Sequence, residues 1–144
     1  MQVRHILREK GSEIVTITAE ATLSEASRLL ARKRIGAVIV RGGAGEFAGI
    51  LSERDVVRAV AEESAGALAR PVHAYMTREV ATCGEDDSVD ALMEIMTRGR
   101  FRHVPVTRDG SLVGIVSIGD VVKSRIEETV REAAALREYI SAAG

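Results

Sequence analysis

The apolar positions of this chain fall into short blocks whose period changes from two to about four, and the whole series then recurs. Val15-Thr16-Ile17-Thr18 alternates apolar and polar side chains, as a half-buried strand does. Leu23, Ala26, Leu29 and Leu30 follow at helical spacing. Next come the runs Ala37-Val38-Ile39-Val40 and Phe47 to Leu51, joined by Gly42-Gly43-Ala44-Gly45, and then a helix expected from Asp55. The second half repeats this order. Val80-Ala81-Thr82-Cys83 leads to the stripe Val89, Leu92, Ile95 and Met96, then to His103-Val104-Pro105-Val106. The turn Arg108-Asp109-Gly110, the run Leu112 to Ile118 and a helix from Asp120 complete it. Thr22 and Ser88 stand at N-cap positions, and Glu25 predicts a closed capping box in the first copy alone.

The repetition is close enough to align. Thr22 to Val40 matches Ser88 to Val106 at a constant offset of 66, with Arg32, Arg34, Val38 and Val40 recurring as Arg98, Arg100, Val104 and Val106. After a loop one residue longer in the first copy, Gly49 to Val57 matches Gly114 to Val122 at an offset of 65. Val3 to Leu7 corresponds loosely to Val72 to Met76. Such a unit is too long for the common solenoid repeats and fits a duplicated small domain. The expected fold class is α/β (α+β): two β-α-β-β-α units with pseudo-twofold packing. The expected boundaries are 1–66 for the first repeat, 67–128 for the second and 129–144 for a C-terminal helical extension. Ala65 to Arg70 with Pro71 reads as the linker. The last helix can run from Asp120 to about Ser141, with Val122, Ile126, Val130, Ala133, Leu136 and Ile140 as an apolar stripe suited to a dimer or partner contact.

Composition narrows the function more than the fold. Twenty Lys and Arg against 21 Asp and Glu give a net charge of -1, without the basic excess that nucleic-acid binding draws on. One cysteine, Cys83, excludes an internal disulfide, and three dispersed histidines argue against a metal site. Cys83 sits on a strand and reads as buried and inert. No run is long enough to span a bilayer and no stretch reads as a secretory signal, so a cytoplasmic location without membrane contact is expected. Nucleophile-base pairs, a Walker loop and a dinucleotide fingerprint are all missing, so no enzyme is expected.

The strongest chemical signal is the doubled Gly-Ile-φ-Ser-x-x-Asp-Val-Val, where φ is Leu51 or Val116. Ser-x-x-Asp at a strand-to-helix junction serves as a helix cap. The same geometry suits a ligand, since a helix N-terminus attracts phosphate and a carboxylate can accept both hydroxyls of a ribose diol. The motif alone does not decide between the two.

The doubled unit resembles the CBS domain, named for cystathionine β-synthase, over about residues 3 to 128. Its two Ser-x-x-Asp motifs and the Arg102-His103-Val104-Pro105-Val106 strand carry the resemblance. The resemblance implies two repeats packed through their sheets, with clefts that hold adenosine ligands: AMP above all, with ATP, ADP, NAD(H) or S-adenosylmethionine as alternatives. It implies ribose contacts for Asp55 and Asp120, and phosphate or backbone contacts for Ser52 and Ser117. Adenine is expected between strands that carry Thr16, Thr18 and Thr82 and the segments Ile35-Gly36-Ala37 and Arg102-His103-Val104, with Pro105 alongside.

The copies differ in charge. Arg54 precedes the first Asp where Gly119 precedes the second, and Arg102-His103 replaces Gly36-Ala37. If the stretch around Phe101 is extended, Arg100 and Arg102 share one side and make the second repeat the richer source of phosphate contacts. The expected function is an adenine-nucleotide sensor with no catalytic cofactor, homodimeric, acting on an effector protein in trans. The alternative is a structural dimerisation module without a ligand.

Overall fold

The computed structural model describes residues 1–143, in which contacts divide the chain into two compact units, Glu13–Ala81 and Met1–Ser12 with Thr82–Gly144. In the first, β1 (Thr16–Thr18) lies parallel to β2 (Ala37–Arg41), which lies antiparallel to β3 (Phe47–Ser52). α2 (Leu23–Lys33) connects β1 to β2, and α3 (Glu53–Glu63) follows β3; α1 (Val3–Lys10) belongs to the other unit. That other unit repeats the pattern with β4 (Cys83–Gly84), α4 (Val89–Gly99), β5 (His103–Arg108), β6 (Ser111–Ser117) and α5 (Ile118–Ala143). The mixed α/β class, the two three-stranded sheets and the long last helix are those expected.

Each sheet is covered by the apolar stripes read from sequence. Leu23, Ala26 and Leu30 bury against Val38, Val40 and Leu51 in one unit. Val89, Leu92 and Met96 bury against Val104, Val106 and Val116 in the other. Thr22 and Ser88 cap their helices by accepting from the amides of Glu25 and Ala91 at 3.1 and 3.0 Å. The capping box expected from Glu25 does not close: no bond returns from its side chain to Thr22, and Glu25 serves only by placing negative charge in the first turn. Asp109 and Gly110 both have positive φ, 50° and 80°, which is the two-residue hairpin turn that Asp-Gly favours.

The boundary between repeats is crossed by an exchange. α1 precedes the first repeat in sequence yet packs Val3, Ile6 and Leu7 into the core of the second. Reciprocally, residues 67–76 follow the first repeat and pack Ala67, Val72 and Met76 into its core. Equivalent bonds tie the two segments down. Val3 N donates to Asp87 O and Arg4 N to Glu85 O, as Val72 N donates to Ala21 O and His73 N to Ala19 O. Matching bridges pair Gln2 with Ser88 and Pro71 with Thr22. The loose correspondence of Val3–Leu7 with Val72–Met76 is therefore a structural equivalence. It also means that the division at 66/67 in sequence is not the division in packing. The expected linker is ordered though largely exposed: Ser64–Ala69 forms a 3-10 turn anchored by the fully buried Ala67.

Candidate functional site: a doubled strand-to-helix junction

In each unit the first long strand begins where the last helix begins. Ala37 pairs with Ser52 across the sheet, and His103 pairs with Ser117. The carbonyls of Gly36 and Arg102 accept from the first helical amides, Glu53 N at 2.9 Å and Ile118 N at 2.8 Å. Register thus brings Ile35, Gly36 and Ala37 to Ser52 and Asp55 in one unit, and Arg102 and His103 to Ser117 and Asp120 in the other.

Both Ser-x-x-Asp motifs close as reciprocal capping boxes. Ser52 N donates to Asp55 Oδ2 at 2.9 Å, and Asp55 N donates back to Ser52 Oγ at 3.4 Å. Ser117 N donates to Asp120 Oδ2 at 2.8 Å, and Asp120 N returns to Ser117 Oγ at 3.1 Å. With the amides of Glu53 and Ile118 bonded to carbonyls, the amides of Arg54 and Gly119 alone stand outside the cap in the first turn. Helix capping therefore accounts for most of what the motif does, and phosphate would have one backbone donor per helix rather than the several a bare N-terminus offers.

The two carboxylates have unlike surroundings. Asp55 is buried; Ser52 Oγ also donates to its Oδ2 at 3.1 Å, and Arg58 approaches Oδ1 at only 3.9 Å. Asp120 is half-buried, and its Oδ2 accepts from Lys10 Nζ at 2.6 Å. The same ammonium donates to Ile115 O at 2.8 Å. Burial opposes ionisation of Asp120, but the Lys10 ammonium and the Ser117 amide outweigh it and hold this carboxyl below the usual carboxylate range. In the first unit the carbonyl equivalent to that of Ile115 belongs to Ile50, and it accepts from Thr77 N at 2.9 Å. A backbone amide in one repeat is thus replaced by a lysine in the other, and the lysine also takes the carboxylate.

The other expected site residues scatter around these junctions. Thr16 and Thr18 point outward on β1, one strand over from Ala37, and Thr82 is exposed just before β4. Pro105 is buried in β5 opposite Ile115. Arg54 is exposed on the first turn of α3. The premise that Arg100 and Arg102 lie on one extended segment fails. Arg100 is the left-handed C-cap of α4 at φ 56°, as Arg34 is of α2 at φ 54°. The recurring arginines at 34 and 100 are helix-ending residues first. The Phe101 ring folds back over Gly99, where an added Cβ would collide with it. Cys83 is buried, and burial with nearby Asp87 pushes its thiol up to about 11, so it stays an unreactive thiol at neutral pH.

Lys10 was not among the residues expected here. A lysine at the end of an amphipathic helix carries no local signal of a partner 110 positions away. Among the described residues, three or more His, Cys, Asp or Glu side chains nowhere gather as a metal site would require, and no helix is long and apolar enough to cross a membrane.

The CBS-domain family model matches residues 3–62 and 72–127, one match over each repeat of the sequence. The chain belongs to the CBS-domain family. A CBS domain-containing mitochondrial protein of Arabidopsis thaliana is 30% identical over 96% of this chain and 71% of its own length. A CBS-domain protein from Agrobacterium tumefaciens superposes with a TM-score of 0.84 at 47% identity, covering 86% of this chain and 92% of that one. Similar structures of two CBS proteins hold ligands. A CBS domain pair complexed with 5′-methylthioadenosine and S-adenosylmethionine has a TM-score of 0.78 at 26% identity, over 89% of this chain and 98% of the other. A CBS domain protein from Pyrobaculum aerophilum, complexed with AMP, has a TM-score of 0.73 at 28% identity, over 83% and 89%.

Proposed function

We propose that this chain is a regulatory adenosine-ligand sensor, with AMP the first ligand to test and ATP, ADP, NAD(H) and S-adenosylmethionine its competitors. The observation that carries the reading is the retention of a preorganised carboxylate at both strand-to-helix junctions. Asp55 keeps Oδ1 clear of any close hydrogen bond while its backbone cap holds the group still, which is what a ribose diol requires of an acceptor. The adenosine compounds bound by two similar CBS proteins support the same ligand class. Thr16, Thr18, Ile35, Gly36, Ala37 and Thr82 serve the base. Pro105 lies alongside the base, Ser52, Arg54, Arg100, Arg102, His103 and Ser117 serve the phosphate side, and Asp55 and Asp120 the ribose. The chain acts as a homodimer on an effector in trans, not as a catalyst.

The first test is a melting-temperature screen of those ligands on wild type, Asp55→Ala and Asp120→Ala. At 100 times its dissociation constant a ligand stabilises by about 2.7 kcal/mol, which raises the midpoint by roughly 5–10 °C for a chain of this size. The gain should vanish in Asp55→Ala. If no adenosine compound moves the melt, or if both alanine variants lose stability but keep the ligand shift, the carboxylates are caps and the module is structural.

A further inference from the structure

The last helix outruns the unit it belongs to. Val121 and Ser124 are its buried residues, and Arg125 ties it to Asp90 of α4 at 3.2 Å. From Thr129 to Ala143 every side chain is exposed. About four turns of helix standing alone in water are marginal, because a single helix gains too little to offset its ordering.

Two series in that segment recur at a period of seven, with Val130 and Tyr139 flanking them. Ile126, Ala133 and Ile140 form one series, and Val122, Thr129, Leu136 and Ala143 form the other. These are the a and d positions of a heptad repeat, offset by roughly a third of a turn from the face that holds Val121 and Ser124. Val122, Ile126, Leu136 and Ile140 are 50, 59, 59 and 60% exposed, so the seam is uncovered along its whole length. In this register Glu132 is at g and Arg137 at the following e. A parallel strand of the same sequence sets each Glu132 opposite the Arg137 of its twin, twice across the twofold axis. β-branched Ile at two a positions with Leu at a d position favours two parallel strands, and Thr129 with Ala133 lets the helices approach closely at the middle.

We propose that residues 122–143 pair with the same segment of a second copy as a parallel two-stranded coiled coil. The occupant is a second copy because the charge pattern is self-complementary in register. This rests on the homodimer reading and gives it a surface and an orientation.

Sedimentation analysis of the full chain tests it. Wild type should be a dimer at micromolar concentration, and the exposed double substitution Leu136→Asp with Ile140→Asp should weaken association by at least about 30-fold without lowering helical content upstream. Glu132→Arg should weaken it by several-fold, and Glu132→Arg with Arg137→Glu should restore it. Oxidised Ala133→Cys should give a covalent dimer mapped to position 133, while Glu138→Cys on the outer face should not. A monomeric wild type would overturn the homodimer and the seam together. A dimer indifferent to the aspartates would overturn the seam alone. Failure of the Ala133→Cys variant to cross-link, or of the charge swap to restore association, would overturn its parallel register.

Discussion

The two repeats place the same motif at the same junction, yet Asp55 is held by its own cap and Asp120 by its cap and Lys10. The difference traces to the segment that each unit receives. The first unit receives residues 67–81 as short turns, and Thr77 bridges Ile50 through the backbone. The second receives a two-turn helix, α1, which cannot offer a free amide at that point and reaches Ile115 with Lys10 instead. A change in local backbone conformation has thus put a hydrogen-bonded lysine on one carboxylate and left the other with only the longer 3.9 Å approach of Arg58. The grooves between the helices diverge as well. The one in the first repeat, about 420 Å³, carries Arg34 and Glu53 at its edge, whereas its smaller counterpart of about 220 Å³ is walled by Met93, Met96, Val122 and Ile126.

The two repeats should differ most at the equivalent glycines 49 and 114. A Cβ at Gly49 would run into the backbone carbonyl of Thr77, which has no rotamer to escape by. At Gly114 it would meet the Leu7 methyls, 2.7 and 3.2 Å away, at the end of a side chain that can turn. Gly49→Ala should therefore cost about 3 kcal/mol and Gly114→Ala about 1 kcal/mol in chemical denaturation. Equal costs would mean that the exchanged segments are held alike.

Next in size is Lys10→Met, which should cost about 1 kcal/mol near neutral pH, since the pair it removes is mostly shielded from solvent. The sign with pH follows from the lowered carboxyl of Asp120. Its contribution is fully present above the unfolded value of about 3.9 and is lost as pH falls through the folded value. The gap between wild type and Lys10→Met should shrink as pH drops below about 4. A gap that stays constant with pH would show that Lys10 acts through packing instead.

Smaller effects probe the caps. Thr22→Ala and Ser88→Ala should each cost about 1 kcal/mol in thermal unfolding, because each hydroxyl satisfies one amide in the same way. Glu25→Ala should change stability by no more than about 0.5 kcal/mol, since its side chain returns no bond to the cap. A larger loss there would show that the capping box closes in solution.

The duplication, the strand and helix order and the long helix were legible because they rest on periodicity, which two copies state twice. Both caps at Ser52 and Ser117 were legible for the same reason. What the sequence hid depends on contacts distant along the chain. Met1-Gln2-Val3 and Arg70-Pro71-Val72 share one identity, so nothing in the residues announces that the segments are exchanged. Lys10 belongs to the second site only because of that exchange. The basic cluster misled for a local reason: Arg100 ends α4 in a left-handed turn, which breaks the alternation on which its pairing with Arg102 depended.

Acceptance of a ribose by the retained carboxylates is tested best at Asp55. Asn at this position keeps an acceptor for the Ser52 amide, so the cap survives while the charge and one carboxylate oxygen are lost. Calorimetric titration of AMP into wild type should give saturable binding, and Asp55→Asn should weaken it by about tenfold or more while leaving the melting temperature of the free protein within about 2 °C. Binding that is undiminished in Asp55→Asn would contradict the assignment of ribose to this carboxylate.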